Sequence, residues 1–349
     1  MPTQRIEEIT VKGLYWYRIL VVALVLALSA WLGPYALSSY HLEAGGRALD
    51  RALVPVFPDW LAPEQIVDAE RLEAGVAHLH QALRWDPRNV QAMRLLVRVH
   101  LTQGHPGIAL EVLQQALQVR PDNPLLYLEL GDVYDSLGQA EAAIEAYETG
   151  GVGSRAVPLA VNYLKLADAH AQAGGGDVAI GLWRKAESVD AGNLYALYRL
   201  AQIHRAMGDE ERAAEYEEQL RYPDFNGVAV SPDSRMAGYQ ERAIVGLVDD
   251  GVWGRDKLIN VISYQMWQLD GGAPGETTER ILGTLLERRP RDADILFYLA
   301  ELYRRRGDLE RAESAYRQVL ESDEEYALAH LRLGMVYEEL AGAELVHSR

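Results

Sequence analysis

The chain has 349 residues, 49% hydrophobic and 24% charged, a composition that folds and a length suited to two ordinary domains or one extended array. Its formal net charge of −17, from 34 Lys+Arg against 51 Asp+Glu, comes with no compensating basic stripe and argues against a nucleic-acid partner. Cysteine is absent, which excludes a thiolate metal site, a thiol nucleophile and a disulfide framework and leaves the redox compartment unset.

Residues 1–18 form an N-terminal tail, and residues 19–40 follow without a charged side chain. As a helix this stretch rises about 33 Å, enough for a hydrocarbon core of about 30 Å. Tyr15, Trp16 and Tyr17 precede it, and Trp31, Tyr35 and Tyr40 close it, where amphipathic rings prefer the headgroup level. Pro34 marks where the helix bends or finishes. A cleaved signal peptide competes with this reading, because Ile19 to Leu32 is close to a signal core in length and Ala27-Leu28-Ser29 offers small residues. Length and the acidic pair Glu7–Glu8 in the leader favour a retained transmembrane helix. The basic residues Arg5, Lys12 and Arg18 lean towards a cytoplasmic N-terminus with the body outside the cytoplasm. Residues 41–62, with Pro55 and Pro58, read as a juxtamembrane connector that spaces the rest from the bilayer.

Beyond residue 62 a self-similar period emerges. In 124–157, Tyr127, Leu130, Gly131 and Tyr134 share a helical face, Gly138 makes a turn, and Ala143 and Tyr147 lie on a second helix. The same frame fits 90–123, with Leu96, Gly104, Ala109, Leu113, Ala116 and Pro121. It slips by two residues and fits 160–193, with Tyr163, Ala167, Gly174, Ala179 and Trp183, and then 194–227, with Leu200, Ala201, Gly208 and Ala213. A further copy is 293–326, with Leu299, Ala300, Tyr303, Gly307, Ala312 and Tyr316, and 327–349 is a partial, capping copy. Segments 63–89 and 259–292 fit only in part: the first helix of the former is degenerate, and Gly271–Gly272 turn the latter.

These residues resemble the tetratricopeptide repeat, a 34-residue helix–turn–helix unit with small residues where its helices cross. The resemblance implies an all-α, right-handed superhelix (solenoid) of helix pairs preceded by one transmembrane helix. Arrays at 63–227 and 259–349 are separated by an interruption at 228–258. Each pair has two apolar faces and buries both only by stacking on neighbours. Gly138, Gly174, Gly208 and Gly307 fall where φ turns positive. In the interruption, Ala243 to Val248 reads as a short extra helix. Trp253 and the bulky stretch after it read as core at a junction, ahead of a partner-binding insert.

Catalytic signatures are missing: there is no GxSxG, HExxH or GxxxxGK[ST], and Gly174–Gly176 sits at a repeat turn without the strand a nucleotide site needs. His100, His170 and His204 take the repeat position of Tyr134, Tyr303 and Tyr337, too far apart to share a metal. No cofactor or metal is expected, and the chain does not read as an enzyme.

The resemblance places partners in a groove lined by first helices. The corresponding positions are Arg94, Arg98, Leu125, Leu128, Asp132, Asp135, Leu164, Asp168, Tyr195, Tyr198, Gln202 and Arg205, then Phe297, Glu301, Arg304, Leu331 and Met335. They read as a basic patch, an acidic patch and exposed aromatics, and tyrosine and arginine are common interface anchors. Glu129 and Val161 stand where a clamp for a terminal carboxylate needs polar or basic groups. The expected role is a membrane-anchored scaffold binding a peptide or helix of a protein partner. It would assemble a membrane or envelope complex on a bacterial inner membrane, with its array outside the cytoplasm. An accessory subunit of polysaccharide synthesis, export or glycosyl transfer, and a cleaved soluble periplasmic binding protein, stand as rival readings.

Overall fold

Asparagine and aspartate side chains start many of the helices. Asn89, Asn123, Asn193 and Asp292 recur at one repeat position, each accepting a hydrogen bond from a backbone N–H of the first turn at 3.0–3.3 Å. Glycines end the first helices: Gly104, Gly138, Gly174, Gly208 and Gly307 adopt φ between +73° and +84°, as their spacing predicts. A computed structural model describes residues 3–54, 65–221, 234–254, 257–258, 260–262 and 275–347.

Its elements are α1 (Thr3–Ala52), strands β1 (Leu53–Val54) and β2 (Gln65–Ile66), and α2 (Ala69–Trp85), α3 (Val90–Thr102), α4 (Pro106–Val119), α5 (Pro124–Ser136) and α6 (Ala140–Gly150). There follow α7 (Ala156–Gln172), α8 (Gly176–Val189), α9 (Leu194–Ala206), α10 (Glu210–Arg221) and α11 (Ser234–Asp249). The last are α12 (Gly275–Arg288), α13 (Ala293–Arg305), α14 (Leu309–Ser322) and α15 (Ala327–His347). The two-residue strands pair antiparallel, Leu53 opposite Ile66. The chain divides into two units, Met1–Arg155 and Ala156–Arg349.

These units are drawn by packing and not by repeat bounds. The break falls at the slip in the repeat frame, where Gly151, Val152 and Gly153 all take positive φ and a short 3-10 turn leads into α7. The expected interruption lies inside the second unit, with Trp253, Leu258, Val261 and Ile262 buried there. Trp253 donates its indole N–H to the Leu220 carbonyl at 2.8 Å. Gly271–Gly272, Pro55 and Pro58 lie outside the described residues.

In the first unit, α1 does not finish near Pro34. It continues through residues 41–52, so that part of the expected connector is helix. This half of α1 is the first helix that the 63–89 repeat seemed to lack. It runs antiparallel to α2: Ser38 meets Ala82, His41 meets His78, Gly45 meets Gly75 and Leu79, and Leu49 meets Gly75. A Cβ on Gly45 would stand 3.1 Å from the Gly75 carbonyl oxygen, and one on Gly75 would stand 3.0 Å from Leu49 Cδ2. The buried set Leu49, Leu53, Leu72, Leu79, Ala82, Ala92, Leu96 and Val99 seals this junction, each large aliphatic side chain contributing about 1.5–3 kcal/mol. A second set, around Met93, Val97, Leu113, Leu126 and Val133, joins α3–α4 to α5. Gly131 lies under the ring of Tyr147, which is how α5 and α6 approach so closely.

In the second unit Trp183 is fully buried between α8 and its neighbours, with the Arg199 guanidinium 4.9 Å above its ring. Leu296, Phe297, Ala300, Tyr316, Val319, Leu333 and Val336 form the core of α13 to α15.

Candidate interaction surface

The groove positions are set by the helical repeat, and the structure divides them by what packs over them. In the first unit Arg94 donates from Nε to Glu129 at 2.8 Å, and Arg98 lies 3.8 Å from Asp50 of α1. Burial holds the Glu129 carboxyl above the usual carboxylate range despite the Arg94 pair. Asp132 accepts a forked pair from Arg155, at 2.8 Å from Nε and 2.7 Å from Nη2, and a bond from the Tyr147 hydroxyl at 2.9 Å. Burial, then the nearby Asp132 and Asp135 charges and the Asp132 hydrogen bond, raises the Tyr147 phenol far above its ordinary range. Asp135 is buried, and Leu128 packs on Gly150. Leu125 is 42% exposed, and the residues just before α5 border an open cleft of about 640 Å³ lined by Val90, Gln91, Arg94, Arg120, Asp122 and Asn123.

The second unit overturns the expectation of exposed aromatics. Tyr195, at the repeat position that Leu125 holds, is 4% exposed, and Tyr198 and Leu164 are also buried. The cover is α11. Its Tyr239 ring meets Tyr195 edge-on at 4.9 Å, and its Arg242 guanidinium lies 4.7 Å from the Tyr195 ring and 4.4 Å from Tyr239. Arg242 also donates to Asp168 at 3.3 Å, and Asp168 accepts the Tyr195 hydroxyl at 2.8 Å. Gly246 receives the Tyr198 hydroxyl, which donates to Asp250 at 3.1 Å, with Gln202 beside both. Burial, then the Asp250 charge and hydrogen bond, pushes the Tyr198 phenol up to about 12. Arg205 is tied to Glu217. α11 therefore lies on α9 and reaches α7, along the face that first helices present.

Towards the end of the chain, Glu301 accepts from Arg304 at 3.1 Å and from the Tyr316 hydroxyl, with Arg332 Nε 3.0 Å away. Burial opposes its ionisation, but the hydrogen bonds and charges outweigh burial, so the carboxyl sits below its usual range. Phe297 is buried, stacked on Tyr326 at 5.2 Å, while Leu331 is exposed. Sequence reasoning missed Tyr239, Arg242 and Gly246. Their spacing of three and four residues is that of one helical face, and it was the available signal. Among the described residues no group of three or more His, Asp or Glu is placed to hold a metal ion.

Antiparallel helix pairs packed on successive neighbours, each closed by a small-residue crossing, define a helical repeat protein. The chain belongs to the tetratricopeptide repeat family, whose pattern matches residues 94–150, 164–224, 279–327 and 301–343, just over half of its length. The family consists of interaction scaffolds, generally without catalytic activity, that bind protein partners. Residues 228–258 lie outside every matched segment.

Several solved structures are similar to the chain at low identity. The MamA crystal structure is 18% identical over 53% of this chain and 90% of that one, with a TM-score of 0.37. PilF of Pseudomonas aeruginosa is 16% identical over 69% and 95%, with a TM-score of 0.38. The P58(IPK) repeat domain is 15% identical over 88% and 99%, with a TM-score of 0.26. At these values the likenesses carry no argument about function. No curated protein matches the chain.

Proposed function

We propose that the chain is a membrane-tethered scaffold that engages a protein partner along the first-helix face of its first unit. One observation carries this reading: the same repeat position is open at Leu125 and covered by the chain's own α11 at Tyr195. Leu125 supplies an apolar anchor, and Arg94 and Arg120 of the cleft offer polar contacts to the same partner. The tether is α1, which from Val21 to Ala52 is long and apolar enough to cross a membrane. Asn89 at the start of α3 bonds Ser38 of α1, and α4 returns antiparallel to α3, so the α4–α5 turn below Leu125 lies towards the span. A partner engaged there is held close to the bilayer, which favours assembly of a membrane or envelope complex.

Photo-crosslinking residues introduced singly at Leu125 and at Tyr195 of the full chain test this. A discrete adduct at 125, absent at 195 and lost on adding Arg94→Glu, is the expected result. Equal capture from both positions, or none from 125, removes the first-unit face as the site.

A further inference from the structure

Because α1 is unbroken from the span into the first helix pair, its length fixes how high the second helix of that pair stands over the bilayer. Residues 19–38 rise about 30 Å, one hydrocarbon thickness, which brings Ser38 to the membrane boundary. Ser38 is buried, donates to the Ala82 carbonyl at 3.0 Å and accepts from Asn89 Nδ2 at 2.9 Å. The end of α2 and the turn into α3 therefore reach the same level. Three residues past Ala82 the antiparallel helix has descended about 4.5 Å further, to the level of Tyr35, one of the rings that close the span.

That turn has the chemistry of a headgroup contact. Trp85 is 45% exposed, an unusual position for so large a ring on a soluble surface. Arg84 and Arg88 flank it, both exposed, and neither pairs with an acid among the described residues. The one acid of the turn, Asp86, spends its carboxylate on the Arg88 backbone N–H at 3.0 Å. Indole rings favour the headgroup layer, and cations beside it are attracted to anionic lipids.

We propose that the α2–α3 turn, residues 84–88, is a second bilayer contact, with Trp85 seated among the headgroups and Arg84 and Arg88 binding the phosphates of anionic phospholipids. This rests on the reading of α1 as a retained span. The helix pair then meets the membrane at two points, the span and the turn, and this fixes its orientation as well as its height.

The chain lacks cysteine, so single labelled positions report cleanly. The full chain carrying Tyr35→Cys, Pro87→Cys or Gln103→Cys, each with an environment-sensitive fluorophore, is reconstituted in vesicles of phosphatidylcholine with or without phosphatidylglycerol. Lipids spin-labelled near the headgroup serve as quenchers. Gln103 lies at the far end of α3 and is the control. Quenching at 35 and 87 severalfold above that at 103, stronger at 87 with phosphatidylglycerol, is the expected result. Adding Trp85→Ser with Arg84→Glu and Arg88→Glu should return the signal at 87 to the level at 103 and leave that at 35 unchanged. Quenching at 35 but not at 87 overturns the proposal and leaves the span standing. No quenching at 35 removes the span and the proposal with it. A signal at 87 that is indifferent to the three substitutions overturns the assignment of Trp85 and the arginines.

Discussion

The hydroxyl of Tyr198 occupies the place where a side chain on Gly246 would begin. The contact lets α11 settle onto α9 close enough for Arg242 to reach Asp168, and it closes the face that the repeat would otherwise leave open. A glycine at this point of α11 is therefore a packing requirement and not a flexible joint.

Gly246→Val forces α11 off α9 or Tyr198 out of its site, at a cost of about 1–3 kcal/mol. Hydrogen exchange checks this: amides of 234–249 should exchange faster in the variant, while those of α3 and α5 in the other unit keep their rates. Unchanged protection of α11 would show that the crossing tolerates bulk.

The crossing of α1 and α2 is also close, a Cβ on Gly75 standing 3.0 Å from Leu49 Cδ2. Gly75→Val places methyl groups against Leu49 and Ala48. The expected effect is again a loss of about 1–3 kcal/mol, confined to the first unit. Thermal unfolding of the full chain in detergent should show an earlier transition, and protection of α2 should fall before that of α13. Repeat arrays lose stability locally, so the comparison is between segments and not a single melting temperature.

These two crossings mark the limit of what was legible in the sequence. Apolar spacing and turn glycines gave the helix pairs and the face each first helix presents, because both follow from local geometry. What covers a face is a long-range question, and Tyr195 and Tyr198 looked the same in the repeat frame as Leu125 and Leu128. The start of the array was obscured for a related reason. Pro55 and Pro58 made all of 41–62 read as a connector, yet α1 runs on to Ala52 and its Gly45 approaches Gly75 and Leu79 of α2 closely. Only the packing separates a glycine that breaks a helix from one that admits a neighbour.

Tyr147→Phe probes the first unit's polar lock. The hydroxyl donates to Asp132, which keeps its bonds from Arg155 when the hydroxyl is removed. A loss of about 0.5–1.5 kcal/mol is expected, the worth of one net hydrogen bond. Asp132→Ala should cost more, because it leaves the half-buried Arg155 and the buried Tyr147 without their shared acceptor. Denaturant titration of both variants gives the order, and a larger loss for the phenylalanine would contradict it.

Glu301 supplies a pH-dependent term of known sign. Its folded carboxyl lies below the ordinary glutamate value, so the fold favours the ionised form. The stabilisation is fully present above the unfolded pKa of about 4.3 and disappears as pH falls through that value and then the folded one. Glu301→Gln should therefore lose stability at neutral pH, by about 1–3 kcal/mol, because Arg304, Arg332 and Tyr316 lose a charged acceptor. The difference from the parent chain should shrink on acidification, as the parent protonates the same oxygen that the amide replaces. Tyrosine fluorescence overlaps between repeats, so exchange protection of α13 and α14 at pH 7 and below pH 4 is the better measure. A gap that stayed constant, or widened in acid, would mean that Glu301 acts through packing and not through its charge.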